Sequence, residues 1–362
     1  MVARWAGSQT LVDGLSAPTG AIRRCFHLCH MKIYVYPALI GSLVALVITP
    51  LVRALARRFA IVDVPDPRRR FPLHTVPTPL LGGLAIYAAV GFAALVAPER
   101  DPRLTGLLVP GALVLAFGLA HHLRPLRPLG WMTLQCVVAT MAVVLGLRAD
   151  VGAPGWVNAL VSIGWLLVVM NALMLVNDLS GAATGVTTVA CGALFILGVW
   201  RGDPFVTLIS CLVGSACVGF LGYNLIPTSI SLSRGGSAML GLWLGGLLAV
   251  GPWRAPHSVQ MAIAPILVLS LPLFNAILLA RTRPAPSRGL RRRPKTLTER
   301  MLDLGLTVEQ ALYLQYGIAL LGAVVAVLGP VLRAPLWSIA LCALLTGLWM
   351  LGSRLVRREA HG

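Results

Sequence analysis

The chain has 362 residues, 57% of them hydrophobic and only 12% charged, where a soluble domain carries about 25% charged residues. That balance excludes a water-solvated globular protein and points to a chain solvated by lipid. The net charge of +18, from 30 Lys and Arg against 12 Asp and Glu, would suggest nucleic acid in a soluble protein. Here basic loops beside an anionic bilayer account for it, so no nucleic-acid partner is expected.

Residues 1–30 hold Gly, Ser, Pro and scattered basic residues, without an apolar run of signal-peptide length. They are expected to be a non-core leader, or a start placed upstream of Met31. The cluster Cys25-Phe26-His27-Leu28-Cys29-His30 matches no strong zinc spacing. Residues 31–355 then form one domain of apolar windows long enough to span a bilayer, ~17–25 residues each. The spans predicted are 33–52, 80–97, 104–120, 129–147, 156–176, 182–200, 204–222, 237–251, 261–280, 312–332 and 335–352. The fold class expected is all-α and polytopic, with about eleven transmembrane helices. The eighth is short and needs its neighbours. Residues 356–362 form a basic tail. Five of the seven cysteines lie inside apolar runs, where a free thiol acts as a small hydrophobe.

Charge orients this array. Alternate loops carry Arg53, Arg57, Arg58 and Arg68–Arg70, then Arg124 and Arg127, then Arg234, then eight basic residues from Arg281 to Arg300, then Arg354, Arg357 and Arg358. Those twenty stand against six on the other side: Arg100, Arg103, Arg148, Arg201, Arg254 and Arg333. Positive charge marks the cytoplasmic face. The expectation is an outside N-terminus, a cytoplasmic C-terminus and a multi-pass location in a bacterial inner membrane.

Three loops on the positive side are dense in Gly, Pro and amide residues. They run from His74 through Thr78 to Gly83, from Asn171 through Asn177, Asp178, Ser180 and Gly181 to Gly185, and from Tyr223-Asn224 through Arg234 and Gly236 to Ser237. Singly, each is ordinary punctuation between helices. In this order, the set resembles the bacterial polyprenyl-phosphate N-acetylhexosamine-1-phosphate transferases of glycosyltransferase family 4. The family's Thr-Pro-x-x-Gly-Gly is Thr78 to Gly83, and its Asn- and Asp-rich loop aligns with Asn171 to Gly181. Its Phe-Asn-x-x-Pro and Gly-Asp-x-Gly-Ser align with Tyr223 to Ser237, and its Leu-Asp-x-Gly-Leu-Ser resembles Leu302 to Thr307. The resemblance covers roughly residues 31–355. It implies transfer of a phospho-sugar from a UDP-sugar to a polyprenyl phosphate, with release of UMP. Magnesium held by cytoplasmic carboxylates is the cofactor it implies.

Those carboxylates are replaced. The family's Asp-Asp pair falls on His121 and His122, two further Asp positions on Asn177 and Ser180, another on Arg234, and a last one on Asn275. Asp178 remains, one position past the family's, about 100° away around a helix if the segment is helical. One carboxylate does not build an oxygen cage for magnesium, and adjacent histidines present two ligands to one metal poorly. No metal and no cofactor are therefore expected. The candidate substrate contacts are Asn171, Asp178, Asn224, Arg234, Gly236 and Ser237. Arg234 is the sharpest: a guanidinium holds phosphate directly, although an arginine at a helix end also snorkels or pairs with a carboxylate. Three functions follow from these residues. One is a catalytically degenerate homologue that keeps a lipid-phosphate or UDP-sugar pocket, alone, as a homodimer or with an envelope-biosynthesis partner. The second is an active transferase with a rewired site. The third, a lipid or solute transporter, is weakest, because no internal repeat is present.

Overall fold

The computed structural model describes residues 19–63, 77–97, 101–251, 259–281, 295–329, 332 and 334–360. It is helical except for one antiparallel pair, β1 (Val62–Asp63) with β2 (Thr78–Pro79). The helices are α1 (Thr19–Arg58), α2 (Gly82–Val96), α3 (Arg103–Leu123), α4 (Pro128–Val144), α5 (Gly155–Val176), α6 (Ala182–Arg201) and α7 (Pro204–Asn224). They continue with α8 (Arg234–Val250), α9 (Val259–Val268), α10 (Ser270–Arg281), α11 (Leu297–Asp303), α12 (Val308–Leu328) and α13 (Ala334–Ala360).

This is a polytopic membrane protein. Seven of these helices are long and apolar enough to cross a membrane, and α2, α4, α8 and α10 are shorter apolar helices. Each predicted span overlaps helix, because a run of apolar residues in lipid must satisfy its backbone internally. The outward faces are those of a protein in hydrocarbon. Leu95, Val144 and Trp156 are 74%, 78% and 70% exposed and recur with other large apolar residues around the bundle, an arrangement that water would penalise.

The fold differs from the sequence reading in several details, among them the short helix α11 and the β1–β2 pair, which lie outside the expected spans. The first helix begins at Thr19, inside the segment expected as a leader, while the rest of that segment lies outside the described residues. The ninth span is two helices, α9 and α10, parted at Leu269. Pro272 is the reason: its ring nitrogen has no proton for the carbonyl of Val268, so it suits the first turn of a new helix and not the middle of an old one.

Local signals set the other ends. Asp203 caps α7 by accepting from the Val206 amide at 3.0 Å, ahead of Pro204 at the first helical position. Thr296 with Glu299 and Thr307 with Gln310 form capping boxes that start α11 and α12. Gly181 and Gly202 bracket α6 with φ of 83° and 65°.

At the centre stands α8, buried from Gly235 to Ala249. Its 17 residues rise about 25 Å, short for a bilayer, and its neighbours shield it from lipid. Glycine lets their backbones close in. A Cβ on Gly83 would lie 2.6 Å from the Cα of Gly236, one on Gly118 2.3 Å from the Cα of Gly235, and one on Gly241 2.6 Å from the Cα of Met170. Helices in lipid associate through such close packing, since burial of apolar surface gives little drive there. Indole donors add ties: Trp243 Nε1 donates to the Leu107 carbonyl at 2.9 Å and Trp165 Nε1 to that of Gly245 at 3.1 Å.

Candidate functional site

The three loops singled out from the sequence meet at one end of the bundle. Ser231 N donates to the Pro79 carbonyl at 2.8 Å, Gly82 N donates to the Ser231 carbonyl at 3.1 Å, and Leu81 forms a β-bridge with Leu232. The loop after α5 joins through Asn177, whose Nδ2 donates to the Leu232 carbonyl at 2.8 Å. These bonds fix the segment Ser229–Ser233, and with it the start of α8. His74 lies outside the described residues.

Asn224 is the hinge of this assembly. It is 1% exposed. Its Oδ1 accepts from Gly181 N at 3.1 Å and from Thr184 Oγ1 at 2.9 Å, and its Nδ2 donates to the Ile230 carbonyl at 3.0 Å. One amide thus ties the loop after α5 to the loop after α7. Asn275 acts alike, donating to the Leu175 carbonyl at 3.1 Å and accepting from Leu297 N at 3.1 Å, so that α10 ties the end of α5 to the start of α11. Ser237 is fully buried, and its hydroxyl donates within the first turn of α8 to Ser233 and Arg234. Asn171 donates to Gln135 Oε1 at 3.1 Å and to the Leu167 carbonyl at 2.8 Å. Among the predicted contacts, Asn171, Asn224 and Ser237 therefore hold backbone and neighbours in place, as does Asn275 at its family carboxylate position, and Gly236 gives α8 its close approach to Gly83.

The remaining predicted positions are His121, His122, Asp178 and Arg234. His121 ends α3 half-buried, its ring 5.2 Å from that of Trp131 and its Nδ1 accepting from Leu126 N at 3.1 Å. Arg234, the exposed first residue of α8, brings Nη1 to 3.4 Å from His121 Nε2. Arg124 and Arg127 follow in the exposed loop. Asp178 is half-buried in a turn, not on a helix, so the expected 100° displacement does not apply; Ser180 of the same turn is buried.

Three positions had no place in the sequence reading. Gln135, 1% exposed in an apolar helix, partners Asn171; a buried amide inside a membrane span was its signal. Trp131 seats His121. Tyr316 donates to the Gly181 carbonyl at 2.8 Å, and its ring fills the space that a Cβ on Gly185 would occupy at 2.3 Å.

Magnesium does not fit this donor set. Histidine is a poor partner for a hard cation, Arg234 sets a fixed positive charge there, and Asp178 is the one acidic side chain on the loop after α5. Glu299 serves the α11 capping box and Asp303 pairs with Lys295 at 2.6 Å. Among the described residues, no three His, Cys, Asp or Glu side chains are grouped to hold a metal.

Comparison with known proteins places this architecture. The family model described as glycosyl transferase family 4 matches residues 104–251, the stretch from α3 to α8. The decaprenyl-phosphate N-acetylglucosaminephosphotransferase of Mycolicibacterium smegmatis is 30% identical over 332 residues, spanning 79% of this chain and 81% of that one. A probable undecaprenyl-phosphate N-acetylglucosaminyl 1-phosphate transferase of Bacillus subtilis is 27% identical over 247 residues, 66% of this chain and 68% of its own. The phospho-N-acetylmuramoyl-pentapeptide-transferase of Streptomyces coelicolor is 28% identical over 280 residues, 60% of this chain and 77% of its own.

Proposed function

The chain belongs to glycosyl transferase family 4, and from that premise we propose that it keeps the family's phosphate-ligand cleft without magnesium-dependent transfer. The ligands proposed are a polyprenyl phosphate, a UDP-sugar or both, met on the cytoplasmic face of a bacterial inner membrane. The orientation proposed, N-terminus outside and C-terminus inside, rests on the twenty-to-six division of basic residues between alternate loops. The observation that carries the reading is the contact of Arg234 with His121, at two of the positions where the resemblance implies carboxylates. A phosphoryl transfer between two anionic partners needs their charge neutralised and their oxygens aligned. Arg234 supplies charge, but as a fixed cation in place of an acidic metal ligand. Such a site binds phosphate and lacks the means to organise two phosphates around one metal. A role in regulating, scaffolding or sequestering envelope glycolipid intermediates follows from binding without turnover.

The similarity to three transferases over most of their length favours a second reading, an active transferase with a rewired site. Equilibrium binding separates the first reading from an empty scaffold. Purified protein in lipid nanodiscs is titrated with UDP-N-acetylhexosamine, and separately assayed with polyprenyl phosphate in the disc. Saturable binding of either supports the proposal, and binding of neither rejects it.

A further inference from the structure

The contact between α3 and α8 contains a hydrogen-bonding conflict. His121 has two ring nitrogens, one 3.1 Å from the Leu126 amide and the other 3.4 Å from Arg234 Nη1. Both outside groups are donors, and neither a backbone N–H nor a guanidinium has a lone pair to offer. A neutral imidazole has a single accepting nitrogen and an imidazolium has none. In every protonation state, at least one of the two contacts sets donor against donor. The amide contact is the shorter, and the backbone fixes its direction. It claims the lone pair on Nδ1 and leaves the ring proton on Nε2. The Nε2–H and the guanidinium then stand side by side as two donors 3.4 Å apart, an arrangement that a group accepting from both would relieve.

The surroundings say what kind of acceptor that is. Arg234 carries a full charge, and Arg124 and Arg127 lie in the loop that follows His121. The two donors are also held at a set spacing. Trp131 packs against the imidazole, and the backbones of Gly118 and Gly235, one turn before His121 and next to Arg234, are in direct contact. Neighbouring donors, one of them a guanidinium, match an anionic oxygen, and a phosphate presents several.

We propose that His121 and Arg234 form a metal-independent clamp for a phosphate oxygen. The clamp stands in place of a carboxylate–cation pair, with the guanidinium doing what a bound cation would otherwise do. This rests on the reading of the cleft as a phosphate-ligand site, and it names the atoms that hold the ligand. A nucleotide diphosphate and a lipid phosphate monoester share the chemistry required.

The test uses the full chain in phosphatidylcholine nanodiscs, with EDTA and, in a parallel arm, with magnesium and no chelator. UDP is titrated by calorimetry. Polyprenyl phosphate in the disc is followed by tryptophan fluorescence, with discs lacking it as the control. Arg234→Gln removes the charge at an exposed position, and His121→Phe keeps a ring against Trp131 while removing the Nε2 donor. Each substitution is expected to weaken binding by about tenfold or more, and the double substitution by little more than either single one, because both donors serve one oxygen. Loss confined to UDP identifies the nucleotide as the clamped anion, and loss confined to polyprenyl phosphate identifies the lipid. Binding by the unsubstituted protein that neither substitution weakens would overturn the clamp, with water as the acceptor, and leave the wider reading standing. Binding that EDTA abolishes would overturn it too. Binding of neither ligand by the unsubstituted protein would reject the clamp and the wider reading together.

Discussion

Replacing Gly118 by alanine should open the joint between α3 and α8. The added Cβ would sit 2.3 Å from the Cα of Gly235 and 2.7 Å from its nitrogen, where ordinary contacts lie at 3.4–4 Å. The shortfall is about 1 Å, and both obstructing atoms are backbone, so no side chain can turn away to relieve it. Overpacking of this kind costs about 1–3 kcal/mol, with a rigid backbone obstruction at the upper end. At roughly 2–4 °C per kcal/mol, the melting midpoint of the protein in detergent should fall by about 5 °C or more. Gly192→Ala is the control, since a Cβ there meets nothing within 4 Å and alanine favours helix over glycine by about 1 kcal/mol. Circular dichroism melts of the two variants give the comparison. The same change should also lengthen the 3.4 Å contact of His121 with Arg234, because the joint lies directly beneath both residues. If Gly118→Ala melts with the control, the close approach of α3 and α8 is wrong, and the placement of the site falls with it.

Other outcomes follow from the same structure. Asn224→Leu removes three hydrogen bonds in a site that is 1% exposed; at about 1–3 kcal/mol per stranded group, it should lower stability by about 3 kcal/mol or more, and a melt within 1 °C of the parent would refute the hinge role. Reporter fusions at Gly362 and within residues 98–103 should light up on opposite sides of the membrane, and a shared side would sink the proposed orientation.

Much of the fold was legible because lipid makes the rule simple: an unbroken apolar run must be a helix, and its length sets the span. The apolar runs do not mark α11, which is short and carries Glu299 and Arg300, and they start the following span at 312 where the Thr307 capping box starts the helix at Val308. What the runs did not reveal is which helices face protein. Protein interior and hydrocarbon are equally apolar, so the central burial of α8 shows only in its glycines, Gly235, Gly236 and Gly241. The break at Leu269 had a signal in Pro272, outweighed by the apolar character of the whole stretch. At the site, the sequence placed three loops together and singled out Arg234, and the structure joins those loops through Ser231 and Asn177. It could not tell that Asn224 and Asn275 are spent on holding the loops, because their partners lie in segments far away in the chain. The partner of Arg234 was hidden for another reason: His121 lies 113 residues away in the chain, and the packing of α3 on α8, closest at Gly118 and Gly235, brings them together.

Release of UMP tests the central claim most directly. The purified protein is supplied with UDP-N-acetylhexosamine and polyprenyl phosphate, with magnesium or with EDTA, beside an Asp178→Asn variant. The account predicts substrate binding with no magnesium-dependent UMP release above a no-enzyme blank. Robust release that requires magnesium and disappears in Asp178→Asn would contradict it and establish an active transferase.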